Sequence, residues 1–175
     1  MAPIRRTALA ALLVAAAVPA RADAPCAADT KRFCRAGSTL ALVSCLQAHR
    51  PDLAPACAQR LERAVVYLQN VKFDCEPDAF QFCRTAGPGL PMVDCLSAQQ
   101  GKLTQRCQQF FDVVRSRDEA VQKACVDQVS RACPGVPAGR GELWICVGLS
   151  GEDLSPGCEA AVTATSYAPP ERERR

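Results

Sequence analysis

CEPDAFQFCRTAGPGLPMVDCLSAQQGKLTQRC, residues 75–107, places its four cysteines at steps of 8, 12 and 12 residues. Nearly the same steps recur on both sides of it. Cys26, Cys34, Cys45 and Cys57 are separated by 8, 11 and 12 residues, and Cys125, Cys133, Cys146 and Cys158 by 8, 13 and 12. The last cysteine of one set precedes the first of the next by 18 residues both times. A period of about fifty residues marks an array of supersecondary units, and an even number of cysteines in each unit marks a disulfide framework. The chain therefore divides into cysteine-rich repeats at 23–73, 74–123 and 124–167. Units this small rarely hold together by burial alone, so covalent staples are expected.

Each unit reads as helical, and nothing alternates like a strand. The first helix is expected over 26–35 and 75–84, with Pro77 tolerated in its first turn. Gly37, Gly87-Pro88-Gly89 and Pro134-Gly135-Val136-Pro137 end it. A second short helix carries the third cysteine over 40–48, 91–99 and 142–149. After a turn, the fourth cysteine opens a longer third helix, on which Leu61, Val65, Leu68 and Val71 form an apolar stripe. Ser155-Pro156 reads as a cap and first residue for it, and Thr104 plays the same part in the second unit. Ser116-Arg117-Asp118-Glu119 has capping-box form, and Asp74 suits a helix starting at Cys75, so a kink or restart is expected near each junction. Leu53, Leu103 and Leu154, and Leu46, Leu96 and Val147, hold equivalent places in the three units and are expected in the core, as is Trp144. Phe33 and Phe82 precede the second cysteine, but Ala132 stands there in the third unit, which should pack less tightly at that point. The expected fold is an all-α array of three disulfide-stapled helical repeats of about fifty residues.

Four cysteines in a unit allow three pairings. Antiparallel first and second helices favour first-to-fourth and second-to-third. That pairs Cys26 with Cys57, Cys34 with Cys45, Cys75 with Cys107, Cys83 with Cys95, Cys125 with Cys158 and Cys133 with Cys146. First-to-third pairing stays open if the second helix begins earlier, as Ser38 allows.

The ends of the chain read as targeting and tail. Arg5 and Arg6, the apolar run from Ala8 to Val18 and the small-x-small site Ala20-Arg21-Ala22 describe a signal peptide over 1–22. The apolar run is shorter than the roughly 20 residues a transmembrane helix needs. No transmembrane anchor is expected after cleavage. The sequence holds 21 basic and 18 acidic residues, and Arg5, Arg6 and Arg21 fall in the signal, so the mature chain is formally neutral. The balance gives no support to nucleic-acid binding. Residues 168–175, Ala168-Pro169-Pro170 followed by alternating Glu and Arg, read as a disordered tail. Twelve cysteines behind an export signal place the protein in the periplasm or outside the cell.

The repeat resembles a known family. Asp29 or Asp78 three residues after the first cysteine, Arg32-Phe33-Cys34 and Cys45-Leu46-Gln47-Ala48-His49 are similar to the cysteine-rich repeat of the Golgi apparatus glycoprotein family. The third unit departs from the pattern at Gln128 and Ala132. That repeat occurs in long arrays in animal Golgi and cell-surface proteins, and in short exported bacterial proteins. For a short form the resemblance implies an exported helical repeat protein.

Catalytic signatures are scarce. His49 is the only histidine, its counterparts are Gln99 and Ser150, and it reads as a helix-end polar residue. Asp118-Glu119 and Glu152-Asp153 read as solvated turn or helix-start residues, and no Gly-rich phosphate loop follows a strand. The cysteine spacings match neither Cys-x-x-Cys redox centres nor zinc modules. The expected function is a non-catalytic binding or structural module without a cofactor, whose partner is a protein or another component of the envelope. The rival reading is a periplasmic thiolate store for Cu(I). It fits less well, because the closest cysteines are eight residues apart, about two helical turns.

Overall fold

The computed structural model describes residues 24–35 and 37–164. The segments read as signal and tail, 1–22 and 168–175, lie outside them. The described residues form helices α1 (Ala27–Phe33), α2 (Thr39–Ala48), α3 (Pro55–Asp74), α4 (Glu76–Phe82), α5 (Leu90–Ala98), α6 (Gln105–Ala124), α7 (Val126–Ala132), α8 (Glu142–Leu149) and α9 (Pro156–Ala164). Among them there is no strand, and 3-10 turns at Arg50–Asp52 and Gln100–Lys102 lead into α3 and α6. The protein is all-α.

The four-cysteine sets are bridged in one way. Cys26–Cys57, Cys75–Cys107 and Cys125–Cys158 join the start of a short helix to the start of a long or final one, with Cα separations of 4.7, 4.8 and 4.8 Å. Cys34–Cys45, Cys83–Cys95 and Cys133–Cys146 close the inner loops at 5.8, 5.9 and 6.0 Å. The second helix of the first unit does start early, with Ser38 Oγ accepting the Ala41 amide at 3.2 Å, yet Cys34 still meets Cys45. No cysteine is free.

Between units the chain turns sharply at one residue. Cys75 (φ −115°, ψ 18°) separates α3 from α4, and Cys125 (φ −119°, ψ 30°) separates α6 from α7. Two capping expectations fail there. Asp74 ends α3, and its carboxylate accepts from Arg106 Nε at 3.0 Å and Nη2 at 2.7 Å. No restart occurs at Ser116, because α6 runs unbroken through it and buries Asp118. Thr104 stands at the start of α6, but its hydroxyl donates to Asp78 Oδ2 at 2.6 Å and leaves the helix uncapped by its own side chain. Ser155 does cap α9, accepting the Cys158 amide at 3.2 Å.

The carboxylate three residues after the first cysteine has a definite task. Asp29 Oδ2 accepts the Ala54 amide at 2.9 Å, and Asp78 Oδ1 accepts the Thr104 amide at 2.8 Å. Each ties the short first helix to the residue before the long one, beside the buried disulfide. Gln128 in the third unit donates instead to the Asp153 carbonyl at 3.4 Å.

The units do not form an open row in which each touches only its neighbours. α8 packs against α2 and α3 of the first unit as well as α6, α7 and α9. All seven residues from Leu143 to Leu149 are buried, which fits a helix apolar on every side. The third unit, short of a phenylalanine at Ala132, thus supplies the centre of the core. Arg60 of α3, buried, forms an ion pair with Glu159 of α9 and donates to the Gly148 carbonyl at 3.5 Å. Thr30 of α1 donates to the Leu149 carbonyl at 3.0 Å. Leu53, Leu103, Leu46, Leu96 and Val147 are core residues, and Leu154 packs half-buried against them. Trp144 lies in the core, edge-on to Tyr67 with ring centroids 5.8 Å apart.

Candidate functional site

The apolar stripe of α3 is only partly used in the core. Leu61 and Val71 are buried, whereas Val65 and Leu68 face a groove of about 870 Å³. Three helices present it with residues one turn apart: Leu40, Val43, Ser44 and Gln47 of α2, Val65, Leu68, Gln69 and Lys72 of α3, and Glu76, Ala79 and Phe80 of α4. Spacings of three and four keep each set on one helix face. The loop from Arg84 to Gly89 and Met92 of α5 complete the lining. The groove therefore lies at the junction of the first two units.

Its rim is apolar and cationic. Leu40 is 38% and Phe80 67% exposed. The Arg84 guanidinium lies over the Phe80 ring at 4.0 Å, and its Nε donates to the Phe80 carbonyl at 2.6 Å, so the ring and the cation are held together. Two cations, Lys72 and Arg84, and one carboxylate, Glu76, are among the lining residues.

The second junction is built differently, and a single position explains it. Leu68 and Asp118 both stand eleven residues after the fourth cysteine of their units. Leu68 lines the open groove. Asp118 draws in the longer inner loop of the third unit: its Oδ2 accepts the amides of Gly139 at 2.8 Å, Arg140 at 3.1 Å and Gly141 at 2.8 Å. Its Oδ1 accepts the Trp144 amide at 3.3 Å, in the first turn of α8. Gly141, the residue before α8, has no side chain to cap it, so Asp118 caps the helix from another element. Tyr67 Oη donates to the Arg140 carbonyl at 2.5 Å, and Arg140 Nη1 reaches Asp94 at 2.8 Å. Gly141, at φ +76°, lies against the Tyr67 ring, where a Cβ would collide. The loop is thus fastened onto α5 and α6.

Burial raises the Asp118 carboxyl to about 6 against the pull of its four backbone donors. Burial, and secondarily the charge of Asp118, pushes the Tyr67 hydroxyl well above its ordinary value.

The other sequence candidates have structural places. The twelve cysteines are in bridges that frame the helices, and Cys83 also borders the groove. His49 ends α2 and stacks on Phe33, with ring centroids 4.6 Å apart. Glu152 pairs with Arg131 at 3.1 Å. Asp118 is the residue that sequence reasoning misplaced, because its flanking Ser116 and Glu119 imitate a helix start.

Fold and groove together define a disulfide-stapled all-α protein with an apolar cleft between helices. No protein-family model, curated protein or solved structure matches this chain. Among the described residues no three His, Cys, Asp or Glu side chains cluster as metal ligands. Among them, too, no helix is long and apolar enough to cross a membrane.

Proposed function

We propose that this protein is an exported, non-catalytic binding module whose disulfide frame holds the groove between its first two repeats open to a partner. The carrying observation is that groove, with Leu40 and Phe80 left to solvent beside Lys72 and Arg84. Contiguous exposed apolar surface in a cleft marks an interaction site. Six bridges and no free cysteine favour an oxidising compartment, the periplasm or the cell exterior. The triple cysteine spacing supports placing the units with the cysteine-rich repeats they resemble. A thiolate metal store needs reduced sulfurs, and here all twelve are paired. His49, read as a helix-end polar residue, is stacked against Phe33 at the end of α2.

Photo-crosslinking in the native envelope tests the reading. With p-benzoylphenylalanine in place of Phe80, irradiation should give a discrete adduct. The same probe at Val126, 63% exposed on α7 and away from the groove, should give none. No adduct at position 80, or the same adduct from both positions, would sink the proposal.

A further inference from the structure

We infer that the groove receives an amphipathic helix of a protein partner, with an apolar stripe flanked by Asp or Glu; this rests on the groove being the binding site. Three observations favour that occupant. First, the lining combines exposed Leu40 and Phe80 with the partly buried Val65, Leu68 and Met92. A helix offers an apolar stripe along several turns, which suits a lining drawn from three helices with exposed Leu40 and Phe80 on it.

Second, the three lining faces repeat at three and four residues, on α2, α3 and α4. A helix with apolar residues at i, i+3, i+4 and i+7 meets that pattern with its own ridges. Third, the two junctions of this molecule compare directly. At the second, polypeptide covers α5 and α6, recruited by the Asp118 carboxylate. At the first, the matching position is Leu68, which offers no acceptor to backbone amides and matches an apolar side chain. An occupant there meets no carboxylate at that position, and a helix, which satisfies most of its own backbone, needs none.

Charge supplies orientation. Lys72 and Arg84 outnumber Glu76 on the lining, and neither cation is in an ion pair with a carboxylate in the described structure. Acidic residues flanking the partner's stripe complete them.

The test pans a display library of helix-forming peptides of about four turns against the full mature protein. Enriched peptides should carry the apolar period of three and four with flanking Asp or Glu. They should bind Phe80→Ala or Lys72→Glu protein about tenfold more weakly, a factor set by one apolar or ionic contact. Exchanging the peptide's acids for lysine should restore binding to Lys72→Glu. Both replaced residues are exposed, and circular dichroism verifies that each variant keeps its helices.

Absence of enrichment, enriched sequences without helical period, or binding indifferent to Phe80→Ala overturns the helix proposal. Palmitate and phosphatidylglycerol vesicles are assayed in parallel. If either binds in a Phe80-dependent way while the library yields nothing, the helix proposal fails and the groove reading stands. If nothing binds and Phe80 also crosslinks to nothing, both fail.

Discussion

Replacing Asp118 by alanine is expected to cost the fold about 3 to 5 kcal/mol, because it leaves several buried backbone donors without an acceptor. The substitution orphans four backbone amides at once, those of Gly139, Arg140, Gly141 and Trp144. Each buried donor left unpaired costs about 1 to 3 kcal/mol. Part of that loss is offset because the carboxylate itself no longer has to be desolvated. The loop should detach from α6 and the first turn of α8 should fray. Denaturant unfolding followed by circular dichroism measures the loss, and tryptophan fluorescence reports the change around Trp144. A cost under 1 kcal/mol would mean that the loop is held by something other than Asp118.

The same residue is expected to make stability fall as pH rises. Its folded value of about 6 lies above the ordinary 3.8 of an aspartate, so the folded state binds the proton more tightly. The contribution is fully present below the unfolded value and is lost as pH rises through about 6. Lowering the pH from 7.5 to 4 should therefore stabilise the wild type relative to Asp118→Asn by up to about 3 kcal/mol, at about 1.4 kcal/mol per unit. Parallel pH profiles of the two proteins would contradict the assignment.

Joint replacement of Cys75 and Cys107 by alanine should lower stability by about 4 kcal/mol, and of Cys83 and Cys95 by about 3, if chain entropy dominates. The difference follows from loop length, since the pairs are 32 and 12 residues apart. The outer bridge also stands beside the Asp78 bond to Thr104, so its loss should loosen the start of α6. Thermal unfolding of the two variants under identical oxidising conditions provides the comparison. Equal or reversed costs would show that local strain or residual structure, not loop closure, sets the value.

How far these features were legible depends on the distance over which each is decided. Helix α8 could be bounded from its residues because Gly141 precedes it and Gly151 follows its end, both local signals. Its burial is legible as well, since Leu143 through Leu149 has no polar face. Asp118 shows the opposite case. Its sequence neighbours make a capping box, and the amides it caps belong to a loop more than twenty residues away. Tertiary hydrogen bonds overrode a local rule. Thr104 shows it again, since its hydroxyl chose Asp78 over its own helix. The groove was not legible at all. Val65 and Leu68 belong to the same stripe as Leu61 and Val71, and only the placement of α2 and α4 decides which half of the stripe is covered. Comparing Leu68 with Asp118 by register could have flagged that the two junctions differ.

Twelve cysteines paired in six bridges build the frame that carries the groove. Thiol titration in denaturant, with and without reductant, on protein purified without added thiol and analysed for metal, tests it most directly. The frame predicts no reactive thiol before reduction, twelve after it, and no stoichiometric copper. Abundant free thiols with bound copper would contradict it.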